Sequence, residues 1–106
     1  MKIKELKDKQ KKVNIELKII YDKIPPEDKF GHKIKTVIAV DADSEQGGES
    51  IMLDLYDNDT DQFKFGDKLR VTDGYAKQSQ NKRKQFRIVS GFDKDGKPIA
   101  KYEKLE

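Results

Sequence analysis

Gly66-Asp67-Lys68-Leu69-Arg70-Val71-Thr72-Asp73-Gly74-Tyr75-Ala76-Lys77 decides how this chain is read. Leu69 and Val71 alternate with Lys68, Arg70 and Thr72, the period-two signature of a strand with one face buried. Asp73-Gly74 then breaks the alternation. A glycine inside a strand marks a bulge or a bend, and Tyr75-Ala76-Lys77 carries the strand past it. The face that Tyr75 occupies depends on how the backbone passes this break. Outward, it offers a ring to a ligand; turned inward, it packs in the core.

The same period recurs on both sides. Val13, Ile15, Leu17, Ile19 and Tyr21 alternate with polar residues, and are expected to point inward. Ile34 to Val40 is a second strand whose faces are ambiguous, because Val37 and Ile38 are both apolar. In Ile51-Met52-Leu53-Asp54-Leu55-Tyr56, the residues Ile51, Leu53 and Leu55 face in, so Met52, Asp54 and Tyr56 face out. Gln85-Phe86-Arg87-Ile88-Val89 closes the set, with Phe86 and Ile88 sharing the inner parity. Pro25-Pro26 and Gly31 place 22–33 in a loop, since adjacent prolines fit neither a central strand nor a helix interior. Residues 43–49 form a turn, 58–65 a connection with at most one helical turn, 78–84 a polar basic loop, and 93–96 a turn; the tail through Lys104 reads as a short extension. Ile3 and Leu6 are the apolar anchors of a Lys-rich start. Five strands with short connections and no long helix predict an all-β, compact barrel.

Composition agrees with a thin core. Of 106 residues, 34% are hydrophobic and 41% charged, enough for one domain over 1–104. Leu105-Glu106 reads as a vector scar and carries no functional weight. There is no cysteine, so disulfides, thiolate metal sites and a cysteine nucleophile are excluded. No stretch approaches the ~20 apolar residues of a membrane span, and the expected setting is intracellular, in cytoplasm or nucleoid. The net charge of +3 conceals an uneven distribution. Residues 1–21 hold seven Lys against three acids, 22–66 five Lys against eleven acids, and 67–106 eleven Lys or Arg against six acids. A local positive surface is what a polyanion needs.

Several pieces, in order, resemble archaeal single-stranded DNA-binding proteins and the OB domains of replication protein A. They are Ile3-Lys4-Glu5-Leu6-Lys7, Val13-Asn14-Ile15-Glu16-Leu17, Leu53-Asp54-Leu55-Tyr56, Phe65-Gly66-Asp67-Lys68-Leu69-Arg70-Val71, Gly74-Tyr75 and Gln85-Phe86-Arg87-Ile88. The resemblance spans 3–91. It implies a five-stranded Greek-key OB-fold barrel that binds single-stranded DNA, or RNA, in replication or repair. In that family the aromatics matching Tyr56 and Tyr75 stack on bases. Where the family often has a further aromatic, this chain has Ser79 and Gln80.

The chemistry is consistent with such a ligand. Unpaired bases offer flat faces to aromatic rings, each stack contributing about 1–3 kcal/mol, while cations follow the backbone. Tyr56 and Tyr75 are the expected stackers, with Phe30 either a third or a pin for its own loop. For each ring the competing reading is packing: Tyr56 over the barrel rim, Tyr75 in the core. Lys82-Arg83-Lys84 at a hairpin tip, with Lys77 and Arg87, would contact phosphates, though a charged tip is also ordinary solvated surface. Lys33 and Lys35, with Thr36 or Ile38, would line the side of the groove formed by strand two. Asp57, Asp59 and Asp61 alternate like the start of a calcium loop, but Gln62 and Lys68 stand where such a loop needs Gly and Glu. The single histidine, His32, reads as a surface loop residue without an evident partner. No phosphate-binding Gly-Lys-Ser/Thr motif, zinc set or catalytic pair is visible. The expectation is therefore a binding protein, not an enzyme, with neither metal nor cofactor. The alternative is an OB-fold protein-interaction module or an accessory domain of a larger protein.

Overall fold

The structure is a computed structural model that describes residues 1–43, 49–80 and 85–105. Among these residues, seven strands run in chain order: β1 (Gln10–Tyr21), β2 (Glu27–Lys29), β3 (His32–Asp41), β4 (Ile51–Tyr56), β5 (Lys68–Gln78), β6 (Phe86–Val89) and β7 (Lys101–Lys104). The barrel closes in the order β1-β3-β4-β6-β5 and back to β1. All of these pairings are antiparallel except β4 with β6. This is the Greek-key order of a five-stranded OB-fold barrel. The only helical pieces among the described residues are 3-10 turns at Ile3–Glu5 and Asp57–Asp61, the latter between β4 and β5. None is long and apolar enough to cross a membrane.

The alternation read from sequence fills the barrel. Val13, Ile15, Leu17, Ile19, Val37, Ala39, Ile51, Leu53, Leu55, Leu69, Val71, Ala76 and Ile88 form one buried cluster, with Phe86 packed against it. Ile3 and Leu6 join that cluster and plug one end. Strand two resolves as Val37 and Ala39 inward, leaving Ile34, Thr36 and Ile38 on the outer parity. Tyr21 corrects its expectation: it is 47% exposed, because the β1–β3 register slips between Ile19 and Tyr21.

The break at Asp73-Gly74 is a bulge. Asp73 takes a left-handed φ of 58°. Across the ladder, Val13 to Ile15 on β1 faces Gly74 back to Val71 on β5, so β5 carries an extra residue there. The inward parity shifts from Leu69 and Val71 to Gly74 and Ala76, and Tyr75 moves to the outer face. A side chain at Gly74 would be crowded: a Cβ would lie 3.0 Å from the Ile88 side chain and 3.1 Å from that of Val71.

Two ladders were not legible in the sequence. β2 pairs with β3 as a hairpin, Lys29 opposite His32. The tail, read as a short extension, is β7, which pairs with β5 from Leu69 to Thr72. The Tyr102 hydroxyl donates to the Asp54 carbonyl at 2.8 Å, fixing β7 against β4. Burial holds that phenol well above its ordinary value.

Candidate functional site

Three outer strand faces make a floor. Register places Thr36 opposite Asp54, Met52 beside Arg87, and Lys77 opposite Arg87. Asp54 is almost fully buried there, so its carboxylate requires partners. Thr36 Oγ1 donates to Asp54 Oδ1 at 2.8 Å, and Arg87 Nε donates to the same oxygen at 3.0 Å. Arg87 Nη2 also donates to Thr36 Oγ1 at 2.8 Å. The floor is thus a closed polar triad rather than a bare cation. Arg87, expected to hold phosphate, has its charge matched by Asp54. Lys77 reaches the same floor and makes no ion pair among the described residues.

Two hairpins rise beside this floor. The β2–β3 turn is Phe30-Gly31, both with positive φ (55° and 78°), the two-residue geometry that suits tight antiparallel hairpins. The second hairpin follows β6. Phe92 bridges to Pro98, Gly96 N–H donates to Asp93 carbonyl at 2.9 Å, and Asp93 Oδ1 accepts from the N–H groups of Asp95 and Lys97. Its neck is held by Ser90, whose Oγ accepts from Ala100 N–H at 2.9 Å. Between hairpins and floor lies a cleft of about 400 Å³, within the ~300–1,000 Å³ span of small-molecule sites.

Aromatic rings converge on one wall. Phe92 lies edge-on to Tyr56 (centroids 5.8 Å, 83°), near-parallel to His32 (5.1 Å, 16°) and 6.3 Å from Phe30. Phe30 is 83% exposed at the hairpin tip and Phe92 38%. Tyr56 has the outward parity expected of it, yet it is only 5% exposed. Phe92 covers the ring, and the hydroxyl accepts from the buried Ser90 N–H at 3.1 Å. Tyr56 therefore supports Phe92 and has no free face to offer. Burial raises its phenol above the ordinary value.

The remaining expected residues divide. Ile34 and Thr36 line the cleft with Phe30. Ile38 shares their face farther along β3, opposite Met52. Lys33 and Lys35 do not line the cleft: Lys33 pairs with Asp61 at 3.6 Å, and Lys35 acts on the carboxylate of Asp22. Their odd positions share the parity of Val37, which turns them from the outer face. Tyr75 is outward and half-buried, but it lines a separate apolar patch with Lys11, Lys12, Gly91 and Ile99. Gly91 lies between Ser90 and Phe92, so the neck of the second hairpin separates cleft from patch. Lys82, Arg83 and Lys84 lie outside the described residues.

His32 is the largest departure from expectation. Nδ1 sits 2.7 Å from Asp57 Oδ2, and Nε2 sits 2.7 Å from the Gly96 carbonyl oxygen. The Asp57 carboxylate, then the Gly96 carbonyl, raise its pKa above the ordinary 6.5. Sequence reasoning missed His32 and Phe92 because their partners are distant in the chain. The one available signal was Phe92 itself, an apolar ring beside the Asp93-to-Gly96 turn. Asp57, read only as part of an incomplete calcium-loop pattern, anchors the wall through His32. Among the described residues, no His, Asp and Glu are grouped to hold a metal ion.

A larger depression, about 570 Å³, lies beside β1 around Lys2, Glu16, Asp43 and Arg70. Arg70 pairs there with Glu16 at 2.7 Å and Lys2 with Asp43, Lys68 also lines it, and it contains no aromatic ring. The aromatic cleft is the better candidate. Comparison with family models and with curated proteins finds no match for this chain.

Proposed function

We propose that the chain binds single-stranded nucleic acid, DNA in the first instance, in the cleft between the two hairpins, as a non-catalytic module of replication or repair. The observation that carries this reading is Phe30. It is a large apolar ring, 83% exposed, on a residue held at φ 55°. The tight hairpin turn accounts for that φ, but the ring meets Phe92 only in a tilted contact and is otherwise left to solvent. An exposed ring forgoes the ~1.5–3 kcal/mol that burial of such a side chain contributes, and a base stacked on it recovers part of that.

Phe30 and Phe92 replace Tyr56 as the stacking pair, with Tyr75 a separate platform beyond the Gly91 neck. The OB barrel and the resemblance in its strands favour the same ligand. Electrostatics within the described cleft is modest. Arg87 is matched by Asp54 and Lys29 pairs with Glu27 at 3.1 Å, which leaves Lys77. One or two phosphate contacts imply a salt slope of roughly −0.7 to −1.4 for single strands. Stacking thus carries most of the affinity.

The test is a fluorescence titration of labelled oligothymidylate and of matched duplex across a range of salt. Preference for the single strand, with a shallow slope and loss on Phe30→Ala, supports the proposal. Equal binding of duplex and single strand, or none at low salt, ends it. The apolar patch of Tyr75 and Ile99 favours a second reading, a protein-interaction module. That reading predicts no chemical-shift change in the cleft on adding oligonucleotide.

A further inference from the structure

His32 joins three segments that are far apart in sequence: the β2–β3 hairpin that carries it, the 3-10 turn that begins at Asp57, and the hairpin that contains Gly96 and Phe92. Both groups facing its ring nitrogens at 2.7 Å are acceptors, a carboxylate oxygen and a backbone carbonyl. A neutral imidazole has one N–H. It would satisfy one partner and direct a nitrogen lone pair at the other oxygen. Only the imidazolium donates to both. Its ring plane is also the surface against which Phe92 stacks, and Phe92 covers Tyr56. Asp57 has a left-handed φ of 51°, so the turn holds its carboxylate toward the ring at some cost in strain.

We infer that His32, as an imidazolium, is the positioning residue of the cleft: it clamps the two hairpins together and sets Phe92 and Phe30 for a stacked base. This inference rests on the proposed function for its ligand, but the clamp is a property of the free protein. The turn after β4 brings Asp57, Asp59 and Asp61, the last paired with Lys33. The second hairpin brings Asp93, Lys94, Asp95 and Lys97, with Asp93 occupied by backbone N–H groups. The β2–β3 hairpin brings Glu27 and Lys29, paired with each other, and Asp28. Among the described residues, Asp57 is the carboxylate bonded to the ring.

The folded state holds the proton more tightly than the unfolded chain, where a histidine titrates near 6.5. The clamp is therefore complete below that value and is lost as pH rises through the higher folded midpoint. Binding is linked in the same direction. A ligand that needs the clamped wall raises the His32 midpoint, by about one unit for each tenfold of affinity lost across the transition.

The experiment uses the chain's one histidine, whose ring resonances are unambiguous. In the free protein, nitrogen-detected NMR is expected to show both ring nitrogens protonated at pH 6.5 and a midpoint above that value. The Phe92 and Tyr56 ring signals should move with the same midpoint. Asp57→Asn should lower it, and His32→Phe, which keeps a ring against Phe92, should abolish the co-titration while core methyl signals persist. A single neutral tautomer at pH 6.5, or aromatic signals that ignore the His32 midpoint, overturns the inference. With oligothymidylate as probe, affinity should fall several-fold through the midpoint in wild type and stay flat in His32→Phe. Measurable binding that is flat in both also overturns it. If the rings co-titrate but no oligonucleotide binds at any pH, the clamp stands and the proposed function fails.

Discussion

Tyr56 and Tyr75 sit on the same outer face, with only β6 between their strands, and their surroundings differ completely. Around Tyr56, a hairpin folds back so that Phe92 lies on the ring and Ser90 bonds its hydroxyl. Around Tyr75, the neighbours are Gly91, Ile99 and two lysines of β1, and the ring remains half-open. Strand parity determines which face a side chain leaves from. What lies over that face is decided by segments distant in the chain. In the proposed function, the stacking role expected for Tyr56 falls to Phe92, which covers it.

The contrast can be broken most forcefully at Phe92. Phe92→Ala should cost about 1–3 kcal/mol in oligonucleotide affinity, the magnitude of one stacked base, and uncover Tyr56. Unchanged affinity in a titration would return the stacking role to other rings. Next is Gly74→Ala, which tests the bulge that sends Tyr75 outward. Its methyl enters the packed space between Ile88 and Val71 and should lower stability by about 1–3 kcal/mol in urea unfolding. A smaller effect follows from the hydroxyls. Tyr56→Phe leaves a buried Ser90 N–H without its acceptor and should cost about 1 kcal/mol, whereas Tyr75→Phe should stay within about 0.5 kcal/mol. Equal effects would erase the difference between the two sites. The smallest change is expected from Lys77→Ala, which should reduce the salt slope of binding by about 0.7, the contribution of one phosphate contact.

The barrel was legible because its core has a period of two and the sequence keeps it through four strands. Where that period broke, the reading depended on chemistry. Asp73-Gly74 was recognisable as a bulge, since glycine there admits close packing from Ile88. The slip after Ile19 carried no such mark, and Tyr21 was misplaced. β7 was illegible for a different reason: Lys101-Tyr102-Glu103-Lys104 buries mainly one ring, and its pairing is set by β5, about 30 residues earlier. The cleft was half legible. Phe30 and Thr36 were placed from position in the chain, while the pairing of Arg87 with Asp54 and the two partners of His32 arise only when distant segments meet.

β5 has eleven residues and β6 only four, so β6 covers just one end of its neighbour. β7 continues along the same side and pairs with Leu69 to Thr72, opposite β1. Without it, that stretch would present a row of unsatisfied backbone donors and acceptors to any passing strand. β7 therefore takes up the backbone groups of β5 that the short β6 leaves unpaired, and moves the open edge of the sheet to a strand that carries two lysines.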